Sequence, residues 1–224
     1  DLVDHYTYCL VGDGCLMEGI SQEAISLAGH LKLNKLVVLW DDNNVTIDGK
    51  VSLSDSTDQI ARFKASGWNV LRVDGHKHAE ISEAIEKAKA SAKPTMIACK
   101  TVIGYGSPNK AGTSGVHGAP LGDDEIAATR EALGWKCAPF KVDTEILDLW
   151  RIAGLRSGQK RKEWDKQLAS LDPEIKGQFE RRMRGDLPAQ FADTMAELKQ
   201  QLASEKPTMA TRKSSEAVLK TINK

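Results

Sequence analysis

Thr7-Tyr-Cys-Leu-Val-Gly-Asp-Gly14, and then Leu36-Val-Val-Leu-Trp-Asp-Asp-Asn-Asn-Val45, are the two stretches whose reading decides the fold. The first is a short β-prone run, Thr7 to Val11, closed by Gly12-Asp13-Gly14. The second is a continuous apolar run, Leu36 to Trp40, of the kind found in a strand buried on both faces of a parallel sheet. Between them, Glu18 to Leu31 carries Ile20, Ala24, Leu27, Ala28 and Leu31 at helical spacing. Strand, helix and strand make one βαβ unit.

The alternation continues outward. Asp58 to Ser66 and His78 to Ala92 read as helices, the latter with Ile81, Ala84, Ile85 and Ala88 facing inward, and Trp68 to Val73 and Met96 to Cys99 read as strands. Helices alternating with short apolar strands predict an α/β fold with a doubly wound, mostly parallel sheet. In such sheets ligands sit outside the carboxyl ends of the strands. Gly12-Asp-Gly14, Asp41-Asp-Asn-Asn44 and Thr101 to His117 all fall there. The last of these belongs to a long glycine-rich loop from Ile103 to Pro120, a length that usually serves function or is disordered. Beyond Asp123 the pattern is helical and more charged, through Leu133, Ile146 to Ala153, Glu163 to Leu171 and Pro188 to Leu202. Glu205-Lys-Pro207 reads as a linker, and Ser214 to Ile222 as the start of another helix.

Composition narrows the function. In 224 residues, Lys plus Arg equals Asp plus Glu at 31 each, so no global basic field attracts nucleic acid. No apolar run approaches the roughly 20 residues that cross a bilayer. Cys9, Cys15, Cys99 and Cys137 lack CxxC spacing, which argues against zinc and against a disulfide framework. Reduced, mostly buried thiols in a cytoplasmic protein are expected. The chain opens on Asp1 with no initiator Met or signal peptide and stops at Lys224 inside an amphipathic segment, so both ends read as cut.

Gly-Asp-Gly alone is an ordinary turn. Asp13 offers a hard carboxylate suited to Mg²⁺ or Ca²⁺, and the flanking glycines let backbone N–H groups come close to a phosphate. The second stretch changes its weight. Neighbouring strand ends in a parallel sheet lie roughly 5–10 Å apart. Asp13, the Asn43 side-chain carbonyl and the Val45 backbone carbonyl can then share one cation. A single carboxylate with neutral oxygens suits Mg²⁺ when a diphosphate supplies the remaining negative charge.

At this point the sequence resembles the transketolase family of thiamine-diphosphate enzymes. Gly-Asp-Gly followed some thirty residues later by Asn43 matches the general thiamine-diphosphate motif. Longer strings are similar to transketolases specifically: Gly12-Asp-Gly-Cys-Leu-Met-Glu-Gly-Ile-Ser21, Ile47-Asp-Gly49, Gly104-Tyr-Gly-Ser-Pro-Asn-Lys-Ala-Gly112 and His117-Gly-Ala-Pro-Leu121. The likeness runs on through Leu133-Gly-Trp135 and Phe179-Glu-Arg-Arg-Met183 to Thr211-Arg-Lys-Ser-Ser215, covering essentially the whole chain.

The resemblance implies roles residue by residue. Asp13, Asn43 and the Val45 carbonyl would hold the divalent cation (Mg²⁺, or Ca²⁺ or Mn²⁺), and Gly14 would donate its N–H to the diphosphate of thiamine diphosphate. His117 would reach both cofactor and sugar, with a catalytic part, and Arg212 would hold the substrate's phosphate. Glu18 and Glu23 match acidic residues near the family's dimer contact. The bland readings are a solvated His117, an exposed basic pair at Arg212-Lys213, and a Glu18 that complements a helix dipole. His5, His30, His76 and His78 have no metal-like partners and are expected to be structural or solvated. Where many bacterial relatives carry a further loop histidine, this chain has Ser114.

By the same resemblance the domains are 1–135, a thiamine-diphosphate-binding domain incomplete on its N-terminal side; 136–207, a helical extension and linker; and 208–224, the start of a pyrimidine-binding domain. The family reaction is two-carbon ketol transfer between phosphorylated ketoses and aldoses in a homodimer. The activating glutamate lies in the pyrimidine domain and is expected to be absent here, so the isolated chain is expected to be inactive. With earlier strands missing, the sheet should have an open, aggregation-prone flank. Three readings remain: a partial transketolase, one chain of a split enzyme, or a non-catalytic remnant. Dihydroxyacetone synthase would look alike in this half.

Overall fold

The structure, a computed structural model, describes residues 2–223. It divides into two compact units, Val3–Leu147 and the residues from Asp148 onward. The first unit holds a four-stranded sheet of β1 (Thr7–Gly12), β2 (Leu36–Asp42), β5 (Asn69–Asp74) and β6 (Thr95–Lys100), in the order β1-β2-β6-β5 and parallel throughout. A two-stranded hairpin, β3 (Val45–Thr46) and β4 (Gly49–Lys50), follows β2. The helices α1 (Gly19–His30), α2 (Gln59–Ala65) and α3 (His78–Lys89) link the strands, and α4 (Asp123–Ala132) follows the long loop.

The sheet is covered on both faces because successive side chains of a strand point to opposite sides. Val38 and Trp40 of β2 and Met96 and Ala98 of β6 pack with Ile25 and Ala28 of α1 and Phe63 of α2. Their neighbours Val37, Ile97 and Cys99 pack on the other side against Ala84 and Ala88 of α3. These are the three layers of a doubly wound α/β domain. Asp58 caps α2, accepting the Ala61 N–H at 3.0 Å. The Trp68 indole donates to the Ile25 carbonyl at 2.8 Å and meets Phe63 edge-on at 5.0 Å, which ties α1, α2 and the start of β5 together.

Helix α1 departs from expectation. Its inward residues are Ile25, Ala28 and Gly29, whereas Ile20, Leu27 and Leu31 are exposed. The periodicity is helical, but the sheet takes a stripe that shares only Ala28 with the expected one. Gly29 explains the choice: a Cβ there would sit 1.8 Å from the Ser66 carbonyl oxygen, so this face alone admits the backbone after α2. The thiols also differ from expectation. Cys99 is buried, but Cys9 on the sheet edge and Cys15 beyond β1 are exposed, and Cys137 is intermediate.

The second unit is helical. Ile146 to Ala153 and Glu163 to Leu171, read separately from the sequence, belong to one helix, α5 (Thr144–Ala169), whose first turn lies in the first unit. The intervening residues, Gly154 to Lys162, contain two glycines and are otherwise polar except for Leu155, which hides the helix from a hydrophobic pattern. Helix α6 (Pro173–Arg184) begins at the Asp172 cap and ends at the left-handed Gly185. Helix α7 (Phe191–Glu205) packs on α8 (Thr211–Ile222). None of the helices is long and apolar enough to cross a membrane among the described residues.

Candidate cofactor site

The parallel register sets Gly12 opposite Asp41, so the chain leaves β1 and β2 at the same level of the sheet. Asp13 has helical dihedrals (φ −56°, ψ −47°), which turn the backbone off the strand into the 3-10 turn Gly14–Met17. Beyond β2, Asn44 adopts a left-handed φ of 61°, a conformation asparagine tolerates better than most residues, and the chain folds back into the β3–β4 hairpin. The two turns wall a cleft of about 560 Å³. Asp13, Gly14, Asn43, Val45 and His117 line it, together with Gly12, Cys15, Met17, Glu18, Asp41, Thr46, Ile47, Asp48, Ser54 and Ile103.

Asp13 is only 6% exposed. Its Oδ1 accepts the Trp40 indole N–H at 3.1 Å, while its Oδ2 is buried with no hydrogen-bond partner. Desolvation by burial pushes its carboxyl above the usual aspartate value, against the Trp40 bond that pulls it down; the nearby Asp42 charge adds to the rise. The backbone N–H groups of Asn44 and Asn43 lie close enough to pull it down a little, but no hydrogen bond forms to Oδ2. Asn43 is held by two bonds: its Oδ1 accepts the Val45 N–H at 2.9 Å, and its Nδ2 donates to Asp41 Oδ2 at 3.2 Å. The amide oxygen keeps a second lone pair. Asp41 Oδ1 also accepts the Thr101 hydroxyl, which fastens the start of the long loop to β2.

The glycines argue the same way from sterics. Neither Gly12 nor Gly14 has a positive φ, and a Cβ on either would meet no protein atom within 4 Å. Nothing within the chain needs these positions bare. Their bareness leaves room for a group in the cleft to come close to this stretch of backbone. A divalent cation fits the donor set: one carboxylate oxygen without a partner, an amide oxygen and a backbone carbonyl, with further positions left to phosphate oxygens. Among the described residues there is no group of three His, Cys, Asp or Glu side chains that would hold a metal on their own.

His117 ends the 3-10 turn Ser114–Val116, its N–H donating to the Ser114 carbonyl at 3.0 Å, and is exposed at the cleft. Glu18 lines the cleft and Glu23 is exposed on α1. Arg212 lies in the second unit, in the first turn of α8, beside a shallow hollow with Ser215, Glu216, Leu219, Lys220 and Asn223. His76 is structural, since its Nε2 accepts the Val102 N–H at 2.9 Å and its ring stacks on Tyr105 at 4.1 Å. Sequence reasoning missed Trp40 as the residue that orients Asp13. A tryptophan near the carboxyl end of a buried strand was the available signal, since its N–H needs a partner when buried. Ile103 and Asp48 were also missed, and only the fold brings them to the cleft.

A parallel sheet with a carboxylate and an asparagine at adjacent strand tips, beside a glycine-lined cleft at the carboxyl ends of its strands, places the cleft where α/β domains take their ligands. The chain belongs to the transketolase family: the family model described as "Transketolase, thiamine diphosphate binding domain" matches residues 1–188. A transketolase of Rhodobacter capsulatus is 50% identical over 222 residues, covering 99% of this chain and 33% of its own length. Transketolase 1 of Escherichia coli is 48% identical over 222 residues, with 96% and 33% covered. Among solved structures, a transketolase from Leishmania mexicana aligns with a TM-score of 0.83 at 38% identity, over 99% of this chain and 33% of that one. A transketolase from Pichia stipitis in complex with sedoheptulose-7-phosphate gives 0.77 at 39%, over 84% and 29%. The chain thus spans about a third of the length of the curated relatives it matches.

Proposed function

We propose that the cleft takes thiamine diphosphate with a divalent cation, Mg²⁺ first and Ca²⁺ or Mn²⁺ as alternatives. The Asp13 carboxylate, the Asn43 side-chain carbonyl and the Val45 backbone carbonyl hold the cation, and the Gly14 N–H supports the diphosphate. The reading rests on one observation above the others: the Asp13 carboxylate is buried, tied on one oxygen by Trp40 and partnerless on the other. A buried anion in that state is costly unless a charge arrives to meet it. The Pichia stipitis relative with its bound phosphorylated ketose supports sugar phosphates as substrates of the complete enzyme.

The complete protein, in this reading, transfers a two-carbon ketol unit between phosphorylated sugars, as in the pentose phosphate pathway, and works as a cytoplasmic homodimer without nucleic acid or membrane partners. Bound thiamine diphosphate supplies the carbanion chemistry. The chain's own residues hold and orient: Asp13 and Asn43 through the cation, His117 as a hydrogen-bonding group facing cofactor and sugar, and Arg212 as a planar fork for the sugar phosphate. Residues 136–207 serve as an extension and linker, and residues 208–224 open a pyrimidine-binding domain whose glutamate lies outside this sequence.

Calorimetric titration of the chain with thiamine diphosphate and Mg²⁺ tests the reading. Binding should require the cation, and Asp13→Ala should weaken it at least about 100-fold, the effect of removing a sole charged metal ligand. Equal affinity in the two proteins would remove Asp13 from the site.

A further inference from the structure

The loop between β6 and α4 carries Ile103 and His117 to the cleft, yet between them it contains one turn of 3-10 helix and no strand. Something other than regular structure must hold it. At its start, Thr101 bonds to Asp41 and the Thr101 N–H donates to the Asp42 carbonyl at 3.2 Å, while His76 takes the Val102 N–H. Near its middle the Gly112 N–H donates to the Ile103 carbonyl at 2.8 Å, closing residues 103–112 into a subloop. Val116 then rests against Gly104, close enough that a Cβ there would lie 3.0 Å from a Val116 methyl. His117 follows directly.

That subloop lies against the end of α4 where Gly106 meets Leu133, and its hydrogen bonds to α4 converge on Glu125. Glu125, in the first turn of α4 and 8% exposed, accepts the Ser107 hydroxyl and the Asn109 N–H (2.9 Å) on Oε1, and the Asn109 side-chain amide (2.9 Å) on Oε2. Ser107 is itself only 4% exposed. The Ser107 hydroxyl in turn accepts the Lys110 N–H at 3.3 Å, and the Lys110 ammonium donates to the Leu121 carbonyl at 2.7 Å, drawing the loop's far limb toward the start of α4. Three donors converge on one carboxylate that only its ionised form can satisfy together. Their hydrogen bonds, that of Ser107 foremost, hold the carboxyl down to about 2, so the charge is present at neutral pH.

We propose that Glu125 is a positioning residue for the cofactor cleft: its carboxylate is the post on which Ser107 and Asn109 fold the glycine-rich loop, and so sets where Ile103 and His117 stand. It touches neither the cleft nor anything in it, and acts through the loop. The cofactor half of this statement rests on the function proposed above; the loop half does not.

The experiment uses Glu125→Gln and Ser107→Ala in the full chain. Glutamine keeps the size but offers one acceptor oxygen and sets an N–H₂ against a donor. Hydrogen exchange of residues 102–117 should speed up about tenfold or more in Glu125→Gln, and less in Ser107→Ala, with β2 and β6 unchanged. The His117 imidazole NMR signals should move toward those of an unstructured histidine. Affinity for thiamine diphosphate with Mg²⁺ should fall about three- to tenfold, and Glu125→Asp should restore part of it. Unchanged loop exchange, or His117 signals that stay in place, would overturn the proposal, as would a loosened loop with wild-type cofactor affinity. Exchange rising equally in the strands of both variants would overturn it too, showing a role in stability alone. If the unmodified chain binds no cofactor, the function proposed above fails, and the loop exchange with the His117 signals still decides the role of Glu125.

Discussion

Two aspartates stand at the tips of the two edge strands, and they are treated in opposite ways. Asp74 ends β5; its carboxylate accepts the His76 N–H at 3.0 Å and pairs with Lys77 at 3.5 Å, and these contacts, the His76 bond first, hold its pKa below the ordinary value. Asp13 follows β1; it is buried, one oxygen has no partner, and desolvation lifts its pKa above the ordinary value. The first aspartate finishes a turn and is complete within the chain. The second is left with one oxygen that no hydrogen bond within the chain meets. Residue type and place in the fold are the same, so the difference in satisfaction, rather than the presence of a strand-end carboxylate, separates a structural group from a ligand-seeking one.

The same asymmetry runs through the sheet. β5 is an edge strand, but α2 and α3 lie against it and its residues are mostly half-buried. β1 is the other edge, and Tyr8, Cys9 and Leu10 are exposed there. The largest test of this contrast is Phe63→Ala on the supported side. Phe63 is 1% exposed and packs edge-on against Trp68, so truncation should cost about 3–5 kcal/mol in denaturant unfolding. A loss under about 1 kcal/mol, the scale of a surface change, would show that this side is not the better-packed one.

How much of this could be read beforehand follows from which forces are local. All four sheet strands were legible, because continuous apolar runs bounded by glycine and polar residues have few alternatives. The placing of Asp13 and Asn43 along one cleft was also foreseeable, since a βαβ unit fixes both tips at one level of the sheet. The face of α1 was not legible. Two apolar stripes compete there, and the winner depends on Gly29 touching the Ser66 backbone, a contact between residues 37 positions apart. The hold of Trp40 on Asp13 and of Glu125 on Ser107 and Asn109 escaped for the same reason: partners that far apart in sequence leave no periodic signature. Cys15 was misjudged because burial was assigned from residue type, and a turn at a cleft rim overrides that preference.

A pH titration gives the next largest effect and sharpens the comparison at the two tips. The folded pKa of Asp74 lies below its ordinary 3.8, so its contribution to stability is whole above that value and is lost as pH falls through and below it. Glu80, which accepts the Asp74 N–H at 2.9 Å and is likewise lowered from 4.5, adds to the same loss. For Asp13 the sign reverses: with its folded pKa above 3.8, ionisation opposes the cofactor-free fold as pH rises, and acid relieves it. Taking the chain from pH 6 to about pH 3.5 should therefore speed hydrogen exchange at the β5–α3 junction roughly threefold, relative to the turn after β1, once intrinsic rates are corrected. Equal changes at both tips would mean that the two carboxylates are not held differently after all.

The smallest expected change concerns the bare edge itself. Leu10 is 80% exposed on β1, with Tyr8 at 47% beside it on the same face of the strand. Neither contributes much to the packed core, so Leu10→Lys should alter unfolding free energy by no more than about 0.5 kcal/mol. Its effect belongs to association instead. A strand that presents unpaired N–H and C=O groups and apolar side chains is a template for another chain, and a lysine on the edge is one of the ways proteins block such pairing. Sedimentation of the chain over a range of concentrations should show self-association that Leu10→Lys reduces while leaving Phe63-side stability untouched. Association that persists unchanged would mean the chains meet elsewhere. The exposed Ile20, Leu27 and Leu31 stripe of α1 is then the next surface to charge, because it is the apolar face the sheet declined.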